Sequence, residues 1–220
     1  MKYSSAILLF TVVLLFTMCK GDKDNAAVAS PVENTVAPPA TQTSAPAPTK
    51  ERVIQYPRKL RDGEVSVKIS ESRTAGVKTL RLATTGLESR EPLLLTVKDA
   101  IYNAMMLDIN NDKKAEIIFF TTTLDEFNYA HVVGYAANKG KSFSEFYMKP
   151  FQEESKYNEG YRGQDEFDIV KGVLTREFPV YKEEDKLGDP TGGIRVVTYK
   201  LVNNKSNWQL KAVSAVDQPE

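Results

Sequence analysis

Cysteine and histidine are nearly absent from this chain of 220 residues, which has one of each. The lone cysteine, Cys19, stands outside any segment patterned like a folded domain. A disulfide framework, a cysteine-held metal cluster and a Cys-His nucleophile inside the fold are therefore excluded. His131 by itself excludes a histidine-rich zinc site built from this chain alone. Net charge is missing too: 29 basic and 29 acidic residues sum to zero, so no global field draws the chain to nucleic acid or to an anionic membrane. There is no Gly-X-Ser-X-Gly elbow, no phosphate-cradling glycine loop and no dinucleotide fingerprint. No cofactor and no nucleic-acid partner are expected.

Long apolar runs are missing as well, with one exception at the start. Lys2 precedes residues 6–16 (AILLFTVVLLF), a length that suits the apolar region of an export signal and is too short to cross about 30 Å of hydrocarbon. A core helix would need a domain to pack on. Instead, Cys19-Lys20-Gly21-Asp22 and a low-complexity stretch come next in the chain. The arrangement resembles a bacterial lipoprotein signal, in which the cysteine becomes the acylated first residue; Met18 stands where a small residue is usual. Residues 26–49 hold five of the eleven prolines among Ala, Thr and Ser, a composition that cannot bury a core and favours extended chain. The reading is a signal peptide over residues 1–18, a lipid on Cys19 with a tether over residues 19–50 reaching up to roughly 90 Å, and a globular domain over residues 51–220. That organisation implies a lipid-anchored protein of the bacterial cell envelope whose contact with membrane is its N-terminal lipid.

Residues 51–220 read mostly with a period of two, broken by turn residues at short intervals. Val65, Val67 and Ile69 alternate with polar residues, Val77, Leu80 and Leu82 mark a second run, and residues 93–97 a third. Met105 and Leu107 lead into an Asn/Asp-rich turn before residues 116–123 (EIIFFTTT), a central strand. Residues 129–135 and 142–147 flank Asn138-Lys139-Gly140, and residues 167–170 and 173–181 flank Lys171-Gly172, both hairpin signals. Residues 194–202 and 208–213 finish the chain. About ten short strands, with one helical turn over residues 153–157, make an all-β, antiparallel sandwich or barrel-like domain.

Charge inside the domain is uneven. Residues 50–83 carry 9 basic and 4 acidic side chains, residues 145–190 carry 7 and 12. Two solvated patches explain this; an electrostatic partner for the acidic half is the alternative. Asp108, Asn110, Asp112 and Glu116 place oxygens as a calcium loop does, but Lys113 occupies the position where such loops turn on glycine, and a plain turn explains the same residues. The acid clusters Asp125-Glu126, Glu153-Glu154, Asp165-Glu166 and Glu183-Glu184-Asp185 read as solvated surface. A glycan hydrolase, calcium- or carboxylate-dependent, would need a buried pair among them. Two loops look more particular: residues 121–129, carrying Phe127, Asn128 and Tyr129, and the Pro190-Thr191-Gly192-Gly193 turn before Arg195.

The segment from Met106 to Leu201 resembles proteins related to periplasmic inhibitors of invertebrate-type lysozyme. The likeness is carried by LDINNDKKAEIIFFTTT, by GYRGQDEF and above all by FPVYKEED…DPTGG. It implies a β-sandwich without enzymatic activity that inserts loops into the catalytic cleft of a lysozyme. The family's Ser-Gly-X-Tyr loop signature falls on Glu126-Phe127-Asn128-Tyr129, where Tyr129 alone matches, and Asp125 and Glu126 bring negative charge toward the cleft's carboxylates. The expected binding residues are Phe127, Asn128, Tyr129, Thr191, Gly192, Gly193 and Arg195. An envelope interaction protein of the same fold with a different partner is the alternative. The anchor is testable: the wild-type chain should fractionate with membranes and take up labelled palmitate, and Cys19→Ser should do neither.

Overall fold

The computed structural model describes residues 55–204 and 207–219, so residues 1–50, with Cys19 and the expected signal and tether, lie outside the described residues. The described residues are all-β, in two sheets. The first sheet runs β1 (Lys59–Asp62), β2 (Val65–Thr74), β3 (Val77–Thr85) and β4 (Leu93–Val97), each beside the next. The remaining strands are β5 (Ala100–Leu107), β6 (Glu116–Thr122), β7 (Ala130–Asn138), β8 (Ser142–Met148), β9 (Glu166–Val170), β10 (Val173–Pro179), β11 (Ile194–Asn204) and β12 (Asn207–Gln218). They form a second sheet in the order β5-β6-β7-β8-β12-β11-β10-β9, curled into a half-barrel.

Turn chemistry sets the registers. Lys139-Gly140, within the three-residue connection 139–141, and the two-residue turn Lys171-Gly172 all have positive φ, as these tight reversals require. Ala75-Gly76 makes a third such turn, between β2 and β3. The expected helical turn begins earlier than residue 153: a 3₁₀ turn covers Phe151–Glu153, started after Pro150. Pairing is antiparallel throughout except where β12 lies parallel to β8, over Trp208↔Phe146, Gln209↔Tyr147 and Leu210↔Met148.

Strand β6 explains the layering. Its residues from Glu116 to Thr121 are buried without alternation, because each face of the strand meets a different core. Ile117 and Phe119 join Leu80, Leu82 and Leu95 of the first sheet, whereas Ile118 and Phe120 join Phe178, Val197 and Leu210 inside the half-barrel. Each such side chain contributes about 1.5–3 kcal/mol by leaving water. The two edges of the curled sheet approach each other: the backbone N–H of Phe167 on β9 donates to the Tyr102 hydroxyl of β5 at 3.3 Å.

One ion pair sits inside the half-barrel, where its strand's alternation puts Arg176 between Leu174 and Phe178. Arg176 and Asp165 have no exposed side-chain surface and meet at 3.0 Å. The expectation of a solvated Asp165 is thus corrected: inward-facing Arg176 requires a buried counter-charge. Rings surround the guanidinium, with Phe151 at 4.3 Å, Phe167 at 4.6 Å, Tyr161 at 5.7 Å and Tyr199 at 5.9 Å. Arg176→Met should cost about 3–5 kcal/mol in urea unfolding, because it strands a buried carboxylate. Adding Asp165→Asn should return a large part of that loss; a double variant as weak as the sum of the two singles would show the residues to be uncoupled.

Candidate binding surface at the loop end

The ends of β6, β8 and β10 and the starts of β7, β9 and β11 fall at one end of the curled sheet, as the antiparallel order dictates. Three connections therefore gather there: residues 123–129, 149–165 and 180–193. The first is braced from within. Asp125 Oδ1 accepts hydrogen bonds from the Thr123 hydroxyl at 2.8 Å and from the amides of Phe127 and Asn128, both at 3.1 Å. The Tyr129 amide donates to Thr123 Oγ1 at 2.9 Å. Short side-chain acceptors commonly stabilise turns in this way.

The brace continues into the second connection. Gln164 N–H donates to the Phe127 carbonyl at 2.6 Å. That approach needs Gly163, which has φ +90° and whose added Cβ would lie 2.2 Å from the same carbonyl oxygen. Tyr129 stacks on Phe127, with centroids 5.4 Å apart and planes 14° from parallel, and leans on Tyr161 at 5.7 Å. Underneath, Asp165 Oδ1 accepts from the Ala130 amide at 2.9 Å and from the Tyr161 hydroxyl at 3.0 Å. Arg176 Nη2 donates to the Ala130 carbonyl at 3.3 Å.

The third connection rests on the same middle loop. Tyr181 N–H donates to the Gly160 carbonyl at 2.9 Å, and the Tyr181 hydroxyl donates to Gln164. Arg162 donates to the carbonyls of Asp185 at 2.6 Å and Lys182 at 3.1 Å. Asp185 accepts from the Thr191 hydroxyl and amide, both at 2.9 Å, and from the Lys182 amide at 2.7 Å; these donors hold its carboxyl below the usual carboxylate range. Gly192 donates to the Val180 carbonyl and Gly193 accepts from the Val180 amide, both at 2.9 Å. Gly193, at φ +78°, passes so close to the Gln218 carbonyl that a Cβ would sit 2.5 Å from it. Arg195 forks onto Asp217 at 2.5 and 2.8 Å and reaches the carbonyls of Tyr157 and Glu159 at 3.2 and 3.0 Å.

Phe127, Asn128, Tyr129, Thr191, Gly192, Gly193 and Arg195 are thus brought to one end, but through residues 157–165 rather than by direct contact. Their roles differ. Tyr129 and Arg195 are largely engaged in the brace, and the large apolar side chain presented outward is Leu124, 79% exposed near the start of the first connection, with Asp125, Glu126 and Asn128 exposed beyond it. Sequence reasoning missed Leu124, Tyr161, Gln164, Asp165 and Arg176. A signal existed in the paired glycines of Gly160-Tyr161-Arg162-Gly163, and in a charged residue at an inward strand position.

Neither a family model nor a curated protein matches the chain.

Burial also shifts the titration of groups beneath the loops. Burial holds the Tyr161 and Tyr199 hydroxyls far above their ordinary range. It also raises Asp165 in spite of Arg176, and it lowers His131 to about 4 with help from Arg176. At the opposite end lies the Asn/Asp-rich turn. Asp108 accepts from the amides of Asp112 at 3.1 Å and Lys113 at 2.8 Å, Asn110 from Asp112 at 2.9 Å, and Asp112 from Lys114 at 2.9 Å. The calcium-like oxygens face backbone donors, and among the described residues no group of three His, Cys, Asp or Glu is placed to hold a metal.

Glu116 ends that turn fully buried, accepting from the amides of Ile109 at 3.0 Å and Ala137 at 3.5 Å. Burial pushes its pKa up to about 7; those amides pull it back, and Asp112 and Asp108 add repulsion. A folded-state value above the ordinary 4.5 means that the stability Glu116 lends is complete below pH 4.5 and lost as pH rises through 7. The stability difference between wild type and Glu116→Gln, read by urea unfolding from acid to about pH 8, should move against wild type by up to about 3 kcal/mol. His131 acts in the opposite direction and cancels in that difference. A constant difference would show that the carboxyl stays ionised.

Proposed function

We propose that this protein is a non-enzymatic binding module of the bacterial cell envelope, held by a lipid on Cys19, whose loop end enters the catalytic cleft of a lysozyme and blocks it. The observation that carries the reading is Leu124, exposed to 79% on a loop in which the Thr123 hydroxyl and the amides of Phe127, Asn128 and Tyr129 are spent on holding its shape. A large apolar side chain on a braced loop loses little conformational freedom on docking, so most of its burial is realised as affinity. The likeness of residues 106–201 to lysozyme-inhibitor relatives supplies the partner. Asp125 turns one carboxylate oxygen into its own loop, which softens the like-charge conflict with the cleft; Glu126 does not share that arrangement. Exposed Glu126 favours a second reading, in which the same end grips another envelope component.

Lysis of a peptidoglycan suspension by invertebrate-, chicken- and goose-type lysozymes, each titrated with the protein, separates the two. Stoichiometric loss of lysis with one type is expected. Leu124→Ala should weaken that inhibition about tenfold or more, from roughly 1.5–2 kcal/mol of lost apolar burial. Unchanged lysis with all three types would remove the lysozyme reading and leave the second.

A further inference from the structure

Opposite the loop end, the parallel junction of β8 and β12 leaves a cleft. The two strands pair over three positions only, and β8 continues back to Ser142 with a partner on its β7 side alone among the described residues. Where the pairing stops, a space of about 420 Å³ opens, floored by Phe146. Its walls are Glu145, Tyr147, Asn204, Asn207, Trp208 and Gln209.

We infer that this cleft binds a short neutral oligosaccharide. The parallel register sets Tyr147 beside Gln209, and Tyr147 is 55% exposed. Trp208 is held in place: its indole N–H donates to Asn138 Oδ1 at 2.9 Å, and Asn138 Nδ2 donates in turn to Ser144 at 2.8 Å and Ser142 at 3.1 Å. A sugar ring offers an apolar C–H face for an exposed aromatic surface such as Tyr147, and a rim of hydroxyls that both donate and accept. Amide side chains match that rim because each carries two donor hydrogens and a carbonyl acceptor. Here Asn204 Nδ2 donates to Gln209 Oε1 at 3.2 Å, which orients both amides and leaves the Gln209 N–H₂ group and the Asn204 carbonyl for a ligand. Asn207 and Glu145 take no side-chain hydrogen bond among the described residues, and a carboxylate accepts from sugar hydroxyls. Glu145 is also the one charged side chain among the described lining residues, which disfavours anionic sugars and phosphates. An aromatic surface with a few oriented polar groups is a usual make-up of small-ligand sites, and the volume falls within their range of about 300–1,000 Å³.

The inference does not rest on the lysozyme reading, since the cleft and the loops lie at opposite ends of the sheet. Trp208 is the only tryptophan of the chain, so tryptophan fluorescence, excited beyond the tyrosine absorption band, reports from this one position beside the cleft. The full chain, in a detergent without a sugar head group, is titrated with chitotetraose, cellotetraose and maltotetraose. A saturable change with at least one of them is expected, with half-saturation on the order of 0.1–1 mM. Tyr147→Ala and Gln209→Ala, both on the outer face, should each raise that value at least about tenfold while the unfolding midpoint stays put. No saturable change with any of the three up to about 10 mM would overturn the inference. So would a change that both variants retain.

Discussion

The Arg176–Asp165 pair has no exposed side-chain surface, and it holds the first residue of β7 from both sides: Asp165 takes the Ala130 amide while Arg176 takes the Ala130 carbonyl. Bringing two charges out of water costs several kcal/mol each, and their attraction repays it only with good geometry and further hydrogen bonds. The Tyr161 hydroxyl and four aromatic rings, that of Tyr161 among them, supply part of that repayment. A well-packed apolar pair could stabilise the half-barrel as much. What an apolar pair could not do is fix where residues 157–165 leave the core, since each direction in which Asp165 is held is a hydrogen bond. Those residues in turn carry the loops on either side.

The rest of the architecture serves the same end. Strand β6, buried on both faces, joins the first sheet to the half-barrel and delivers residues 123–129 at a fixed place. Aromatic side chains of the half-barrel core, Phe151, Tyr161 and Phe178, pack edge to face with centroids 4.8 to 5.3 Å apart just beneath the loops. At the other end the single parallel junction stops after three positions, and the cleft with Trp208 and Tyr147 is its consequence.

The all-β class, both Lys-Gly hairpins and the position of β6 were legible because they rest on local signals: period-two alternation, positive-φ turn residues and one unbroken apolar run. Strand β1 escaped notice because Lys59-Leu60-Arg61-Asp62 has a single apolar residue to mark it. The parallel pairing of β8 with β12 joins residues some sixty positions apart and leaves no local trace. At the loop end, Tyr129 and the Thr191-Gly192-Gly193 turn drew attention through residue type, and the structure gathers them. Asp165 read as surface because it adjoins Glu166, yet the two point to opposite faces of a strand start. Only the partner, Arg176, shows which is inside, and that pairing is tertiary. Leu124 carried no signal in sequence, since an exposed leucine looks like any other until its loop is seen to be braced by hydrogen bonds.

A prebuilt, rigid loop end is the claim on which the proposed binding role depends, and amide hydrogen exchange of the free protein tests it most directly. The amides of Phe127, Asn128, Tyr129 and Gln164 all have acceptors. They should exchange slowly, opening together with Ala130 at the start of β7. Exchange of those four at the rate of an unstructured chain, with the strand amides of β6 and β7 still protected, would contradict it.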